Sequence, residues 1–186
     1  MSRTADVLLI SMPFAPLVTP SLGLGLLKAA MDEIHVSSRV LYFSLCFAEQ
    51  IGERLYTKIC HETHPHDLLG EWIFSDSLSG YQSDHNRYVA DILRGELKMS
   101  ATATSYLPPA SEELIEGALA AQARADRFLE ECLDTVIGYR PRIIGFTSVF
   151  LQQVASLSLA RLIKSALPDS FVVFGGANCE GVMGKE

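Results

Sequence analysis

The chain has 186 residues, 48 % of them hydrophobic and 20 % charged, which excludes global disorder and allows one domain with a real core. Fifteen Lys and Arg against 22 Asp and Glu give a formal charge of -7, so the basic face of a non-specific nucleic-acid binder is not expected. No apolar run reaches the roughly 18–20 residues of a bilayer span, the start at Met1–Asp6 has no typical cleavage site, and four cysteines (Cys46, Cys60, Cys132, Cys179) are too scattered for a disulfide scaffold, so a soluble, reduced, cytoplasmic protein is expected.

Val7–Met12 is a near-continuous apolar run, the pattern of a strand covered on both faces. Pro13 and Pro16 end it, and a loop runs to Pro20. Ser21 is the expected N-cap of a helix over about Leu22–Ile34, with Leu22, Leu26, Ala29, Ala30 and Met31 along its apolar flank. A second strand is expected at Arg39–Ser44. From Cys46 to about Gly138 the apolar spacing is helical: Phe47, Ile51, Leu55 and Ile59, then Leu114, Ile115 and Leu119, then Phe128, Leu129, Leu133, Val136 and Ile137. Ser111 followed by Glu112, Glu113 and Glu116 reads as a helix start with acids at the positive end of the dipole, and Ser100–Pro109 as a loop. This block is too long for an ordinary crossover and is expected to be a helical insertion over about 46–138. Ile143–Thr147 then reads as a third strand, Leu151–Leu167 as an amphipathic helix, and Phe171–Phe174 as a fourth strand. Gly175-Gly176 turns the chain, and Asn178–Gly184 is placed to begin another helix.

Strand–helix alternation with apolar strands predicts a parallel sheet with helices on both faces, in one α/β domain over 1–186. Such sheets bind ligands past the carboxyl ends of their strands. Here those ends are Ser11–Pro20, Ser44–Phe47, Thr147–Gln152 and Gly175–Glu180.

Each motif has a plain structural reading beside a functional one. Gly23-Leu24-Gly25 lacks the third glycine of a dinucleotide fingerprint, since Lys28 stands there, and close helix packing explains the pair better. Gly175-Gly176-Ala177-Asn178 either brings a large ligand close to the backbone or makes an ordinary turn. Thr147 and Ser148 either bond a ligand edge or cap the next helix. His61, His64 and His66 cluster, but Pro65 interrupts them, and a solvated helix end outweighs a metal site. Cys179 has no histidine near it in sequence to act as a base, so no catalytic residue is assigned. Trp72 reads as a core anchor of the insertion. No Cys-x-x-x-Cys-x-x-Cys, phosphate-loop or His-Glu-x-x-His motif occurs.

The strand-end segments Asp6–Phe14 with Pro20–Gly25, Val40–Ser44, Ile144–Phe150 and Val173–Gly181 together resemble the N-terminal region of cobalamin-dependent radical S-adenosylmethionine enzymes. The resemblance is to the subgroup that C-methylates ribosomally synthesised peptides, and it covers nearly the whole chain. It implies a flavodoxin-like (Rossmann-like) sheet of at least four strands, with the insertion between strands two and three, that binds cobalamin. By position, Pro13, Phe14, Ser21 and Leu22, then Thr147, Ser148, Val149, Phe150 and Gln152, then Gly175, Gly176, Ala177 and Asn178 would line the corrin and its nucleotide tail. No Asp-x-His-x-x-Gly motif supplies a lower axial histidine, and Glu62-Thr63-His64-Pro65-His66 only approaches it. The resemblance implies that the α/β domain over 1–186 is C-terminally incomplete, and it places S-adenosylmethionine, a [4Fe-4S] cluster and the peptide substrate on a C-terminal barrel absent from this sequence. Nucleic acid and membrane are not expected partners. Two rival readings are a small nucleotide-binding doubly wound enzyme and a non-catalytic interaction domain.

Overall fold

The computed structural model describes residues 4–95 and 109–181. The apolar run at its start forms β1 (Val7–Ser11), buried along its whole length. It lies between β2 (Ser38–Tyr42) and β3 (Ile143–Thr147), and β4 (Phe171–Gly175) pairs with the far side of β3. All three pairings are parallel, with Leu9 opposite both Val40 and Gly145, and Gly145 opposite Val173. The order β2-β1-β3-β4 gives the flavodoxin-like α/β architecture that the sequence suggests.

Side chains alternate across the sheet. Leu8, Ile10, Ile144 and Phe146 point into the main core. Val7 and Leu9 point to the opposite face, where α1 (Leu22–Glu33) packs. Ser21 caps α1, its hydroxyl accepting from the Leu24 amide at 3.3 Å, as its position predicts. The expected flank is corrected. Leu24 is the buried residue of α1, with Met31 packed beside it, whereas Leu22 and Leu26 are exposed. The helix is apolar on more than one side, and only the sheet beneath it decides which side is covered.

β2 stops at Tyr42 and α2 (Phe43–Ile51) follows without a loop. The expected strand end at Ser44–Phe47 is therefore helix, because Phe43, Ser44, Phe47 and Ala48 share a buried helical face. The insertion continues through α3 (Glu53–His61), α4 (Leu69–Ile73), α5 (Ser75–Ser79) and α6 (His85–Tyr88), which runs into a wide turn at Val89–Leu93. It ends with α7 (Glu112–Gln122) and α8 (Ala125–Tyr139). Ser111 caps α7 through the Leu114 amide at 3.2 Å, as expected. The Ser100–Pro109 reading lies almost wholly outside the described residues. After β3, α9 (Gln153–Ala166) leads to β4 and a single 3-10 turn at Ala177–Cys179. The helix expected from Asn178 to Gly184 extends beyond the described residues.

Phe47 shows how the insertion joins the sheet. Its ring centroid lies 4.6 Å from Phe128 of α8, 5.2 Å from Phe74 and 5.8 Å from Phe14 of the β1 loop. One continuous core thus spans the sheet face, the insertion and α9.

Candidate functional site

The loops after β1, β3 and β4 converge at one rim of the sheet, where side-chain hydrogen bonds tie them together. Gln152 is buried. Its Nε2 donates to the Met12 carbonyl at 2.5 Å and to Ser11 Oγ at 3.4 Å, while its Oε1 accepts from the Val149 amide at 3.1 Å. Asn178 Nδ2 donates to the Val149 carbonyl (2.7 Å) and to Ser148 Oγ (3.1 Å), and the Asn178 amide donates to the Ser148 carbonyl (3.2 Å). Ser148 returns the link, its amide donating to Gly175 O at 2.7 Å.

These bonds decide between the alternative readings of several residues. Ser148 does not cap α9, because its hydroxyl donates to Gln153 Oε1 at 2.6 Å and is buried. Gly176 has φ +100°, and a Cβ there would stand 2.5 Å from the Ser148 carbonyl oxygen and 3.0 Å from its amide nitrogen. Its missing side chain lets the β4 loop lie on the β3 loop. Gly175 has open space where a Cβ would be. Gly176→Ala is expected to cost about 2 kcal/mol in urea unfolding, from the positive φ and the backbone clash together. Gly175→Ala is expected to be nearly neutral in the same measurement.

Pro13 and Phe14 turn inward. The Phe14 ring lies 4.9 Å from Tyr56, and the next carbonyl, of Ala15, accepts from Tyr56 Oη at 2.9 Å. Cys60 Sγ meets the Phe14 carbonyl at 3.7 Å, and burial pushes this thiol up to about 12. Leu22, Val149 and Phe150 face outward, as do Gly175, Gly176 and Ala177, while Ser21, Thr147 and Asn178 are half-buried. The predicted residues are thus brought to one rim in two layers: a buried layer that ties the loops and an exposed layer that faces solvent.

The N-terminus of α9 holds a residue that local pattern does not show. Glu71 of α4 reaches across, Oε1 accepting from the Gln153 amide (3.1 Å) and Oε2 from the Val154 amide (2.7 Å). It fills the role that a helix-capping hydroxyl usually fills. Burial raises its carboxyl above the ordinary value, against the lowering effect of these two amides. A carboxyl raised on folding contributes stability below its unfolded value that is lost as pH rises through the folded value. Wild-type stability relative to Glu71→Gln is therefore expected to fall as pH rises from the ordinary glutamate range. Urea unfolding of both chains across that window checks the sign.

The histidine cluster does not assemble. His61 ends α3, while His64 and His66 stack with ring centroids 5.0 Å apart. Among the described residues, no group of three or more His, Cys, Asp or Glu stands close enough to hold a metal ion. Cys179 is half-buried at the end of the 3-10 turn. Trp72 anchors the insertion as expected, stacked on Tyr88 at 4.5 Å. Cavities away from the rim include one of about 210 Å³ beside Lys58, His64 and Ser111, and one of about 610 Å³ between α9 and β4. Among the described residues, no helix is long and apolar enough to cross a membrane.

No family model matches the chain, and no curated protein or solved structure matches it significantly.

Proposed function

We propose that the chain is a cobalamin-binding domain of the kind that serves radical S-adenosylmethionine methyltransferases acting on ribosomally synthesised peptides. The observation that carries this reading is the outer layer of the rim. Leu22, Val149 and Phe150 are exposed, as are Gly175, Gly176 and Ala177, and the loops after β1, β3 and β4 are held together from beneath. Exposed apolar side chains suit the face of a flat macrocycle, and exposed glycine backbone suits its close approach. When bound, cobalamin supplies the methyl-transfer chemistry, and the protein supplies orientation and exclusion of water.

In this reading Leu22, Val149 and Phe150 would cover the corrin, while the Thr147 hydroxyl and the backbone of Gly175 and Ala177 would meet its polar rim. Pro13, Phe14, Ser148, Gln152 and Asn178 would position those groups from below, and Gly176 lets the β4 loop lie on the β3 loop. Ser21 fixes the start of α1 and so the placement of Leu22. None of the three rim loops contains a histidine that could serve as a cobalt ligand.

The nucleotide-binding rival is disfavoured by Glu71. A phosphate would bind the amides that open α9, and a carboxylate already occupies two of them.

The test is reconstitution with hydroxocobalamin, desalting and a visible spectrum. Corrin absorbance retained in proportion to protein, and lost in Phe150→Asp with unchanged far-ultraviolet circular dichroism, is the expected result. A colourless wild-type protein would overturn the reading.

A further inference from the structure

Leu151, in the turn between β3 and α9, has φ +65°. That is the left-handed region, which a residue with a side chain enters only at a cost and which glycine enters freely. A turn that needed this backbone alone would be served better by glycine. Leu151 is instead buried, with 6 % of its surface exposed, between Phe150 at 53 % and Gln152 at 1 %. The left-handed residue redirects the chain, leaving Val149 and Phe150 in solvent and turning Gln152 inward.

What the Leu151 side chain packs on lies in the insertion. A Cβ on Gly70 of α4 would stand 3.0 Å from Leu151 Cβ, 3.3 Å from the Leu151 carbonyl oxygen and 2.7 Å from Phe14 Cδ2. The bare Cα of Gly70 is therefore a seat shared by the β3 loop, through Leu151, and the β1 loop, through Phe14. Next in the chain, Glu71 holds the amides of Gln153 and Val154. Gly70 and Glu71 thus grip the turn on both sides of Gln152. The β4 loop is fastened in turn to the β3 loop, by Asn178 and by the close approach at Gly176, so it follows wherever the turn is set.

We infer that Leu151 is a positioning residue for the rim: its side chain, seated on Gly70 of the insertion, holds the turn in the left-handed form that presents Val149 and Phe150. A conformation that costs free energy persists only where its surroundings enforce it. Here α4 supplies the enforcement, so the strained turn relaxes only if α4 gives way. Gln152 ties the same turn to the end of β1, which makes the insertion a second and separate anchor. The role of the insertion then extends beyond completing the core. It fixes the outer layer of the rim, and with it the surface a ligand meets. This deepens the corrin reading, on which the affinity measurement below rests; the exchange measurements do not depend on it.

Leu151→Gly removes the seated side chain and leaves the left-handed backbone accessible. In that variant the Val149 and Gln152 amides, bonded to Gln152 Oε1 and the Val149 carbonyl, should exchange roughly tenfold faster or more beyond what the change in global stability requires. Hydroxocobalamin affinity should fall by roughly tenfold or more. Leu151→Met, which keeps an apolar side chain of like volume, should restore both. A measurement on the wild-type chain stands even if Leu151→Gly does not fold. Under increasing urea the Val149 and Gln152 amides should open together with the Trp72 amide, which bonds the Leu68 carbonyl at the start of α4. Turn amides that open well before that of Trp72 overturn the inference. So do turn amides that quicken in Leu151→Gly only in step with those of β1, the behaviour of an ordinary core leucine. A colourless wild-type chain overturns the corrin reading alone, and the exchange results then decide this inference by themselves.

Discussion

Phe47→Ala is expected to lower the unfolding free energy by about 4 kcal/mol and the thermal midpoint by roughly 10 °C. Phe47 is fully buried at the meeting point of four segments, with Phe14, Phe74 and Phe128 around it. Those neighbours belong to the β1 loop, the junction of α4 and α5, and α8, which other contacts hold apart. The space left by the ring cannot close, and the cavity cost adds to the lost transfer energy. The expected signature goes further than a lower midpoint. Trp72, the single tryptophan, lies in the insertion. Its fluorescence and the far-ultraviolet signal of the whole chain should fall together in one transition, in wild type and variant alike, because one core serves both parts. An early fluorescence transition in either chain would mean that the insertion melts on its own. Leu68→Ala, at an exposed position beside the same helices, sets the scale and should change stability by less than about 0.5 kcal/mol.

The strands were legible because a strand buried on both faces is written as a continuous apolar run, as at Val7–Ser11. The caps at Ser21 and Ser111 were legible for a similar reason, since their chemistry is local. What local pattern does not carry is direction. Leu24 and Leu26 are the same residue type two positions apart, yet one is buried and the other is 62 % exposed. Only the location of the sheet separates them. Phe14 and Phe150 likewise each follow a strand, but Phe14 is enclosed by the insertion and Phe150 is not. Glu71 was the least visible of all. Its partners are the amides of Gln153 and Val154, more than eighty residues later, and amides leave no mark in a side-chain pattern. Position along the chain therefore names the segments that follow the strands, while tertiary contacts assign their residues to a supporting or an exposed layer.

Gln152 tests that division. Gln152→Leu preserves volume, so packing alone predicts little change. Hydrogen bonding predicts otherwise. The substitution strips partners from the buried Met12 carbonyl and from the part-buried Val149 amide. At roughly 1–3 kcal/mol for each stranded group, the expected loss is about 3 kcal/mol in urea unfolding. Asn178→Ala removes bonds nearer to solvent, to the Val149 carbonyl and Ser148 Oγ, and should cost only about 1 kcal/mol. Amide hydrogen exchange separates a lost tie from a general weakening. In Gln152→Leu the Val149 amide should exchange far faster than the stability change alone requires, while amides within β1 slow or quicken only in step with global unfolding. Equal acceleration at both places would mean that Gln152 supports the core as a whole and does not specifically bind the β3 loop to the end of β1.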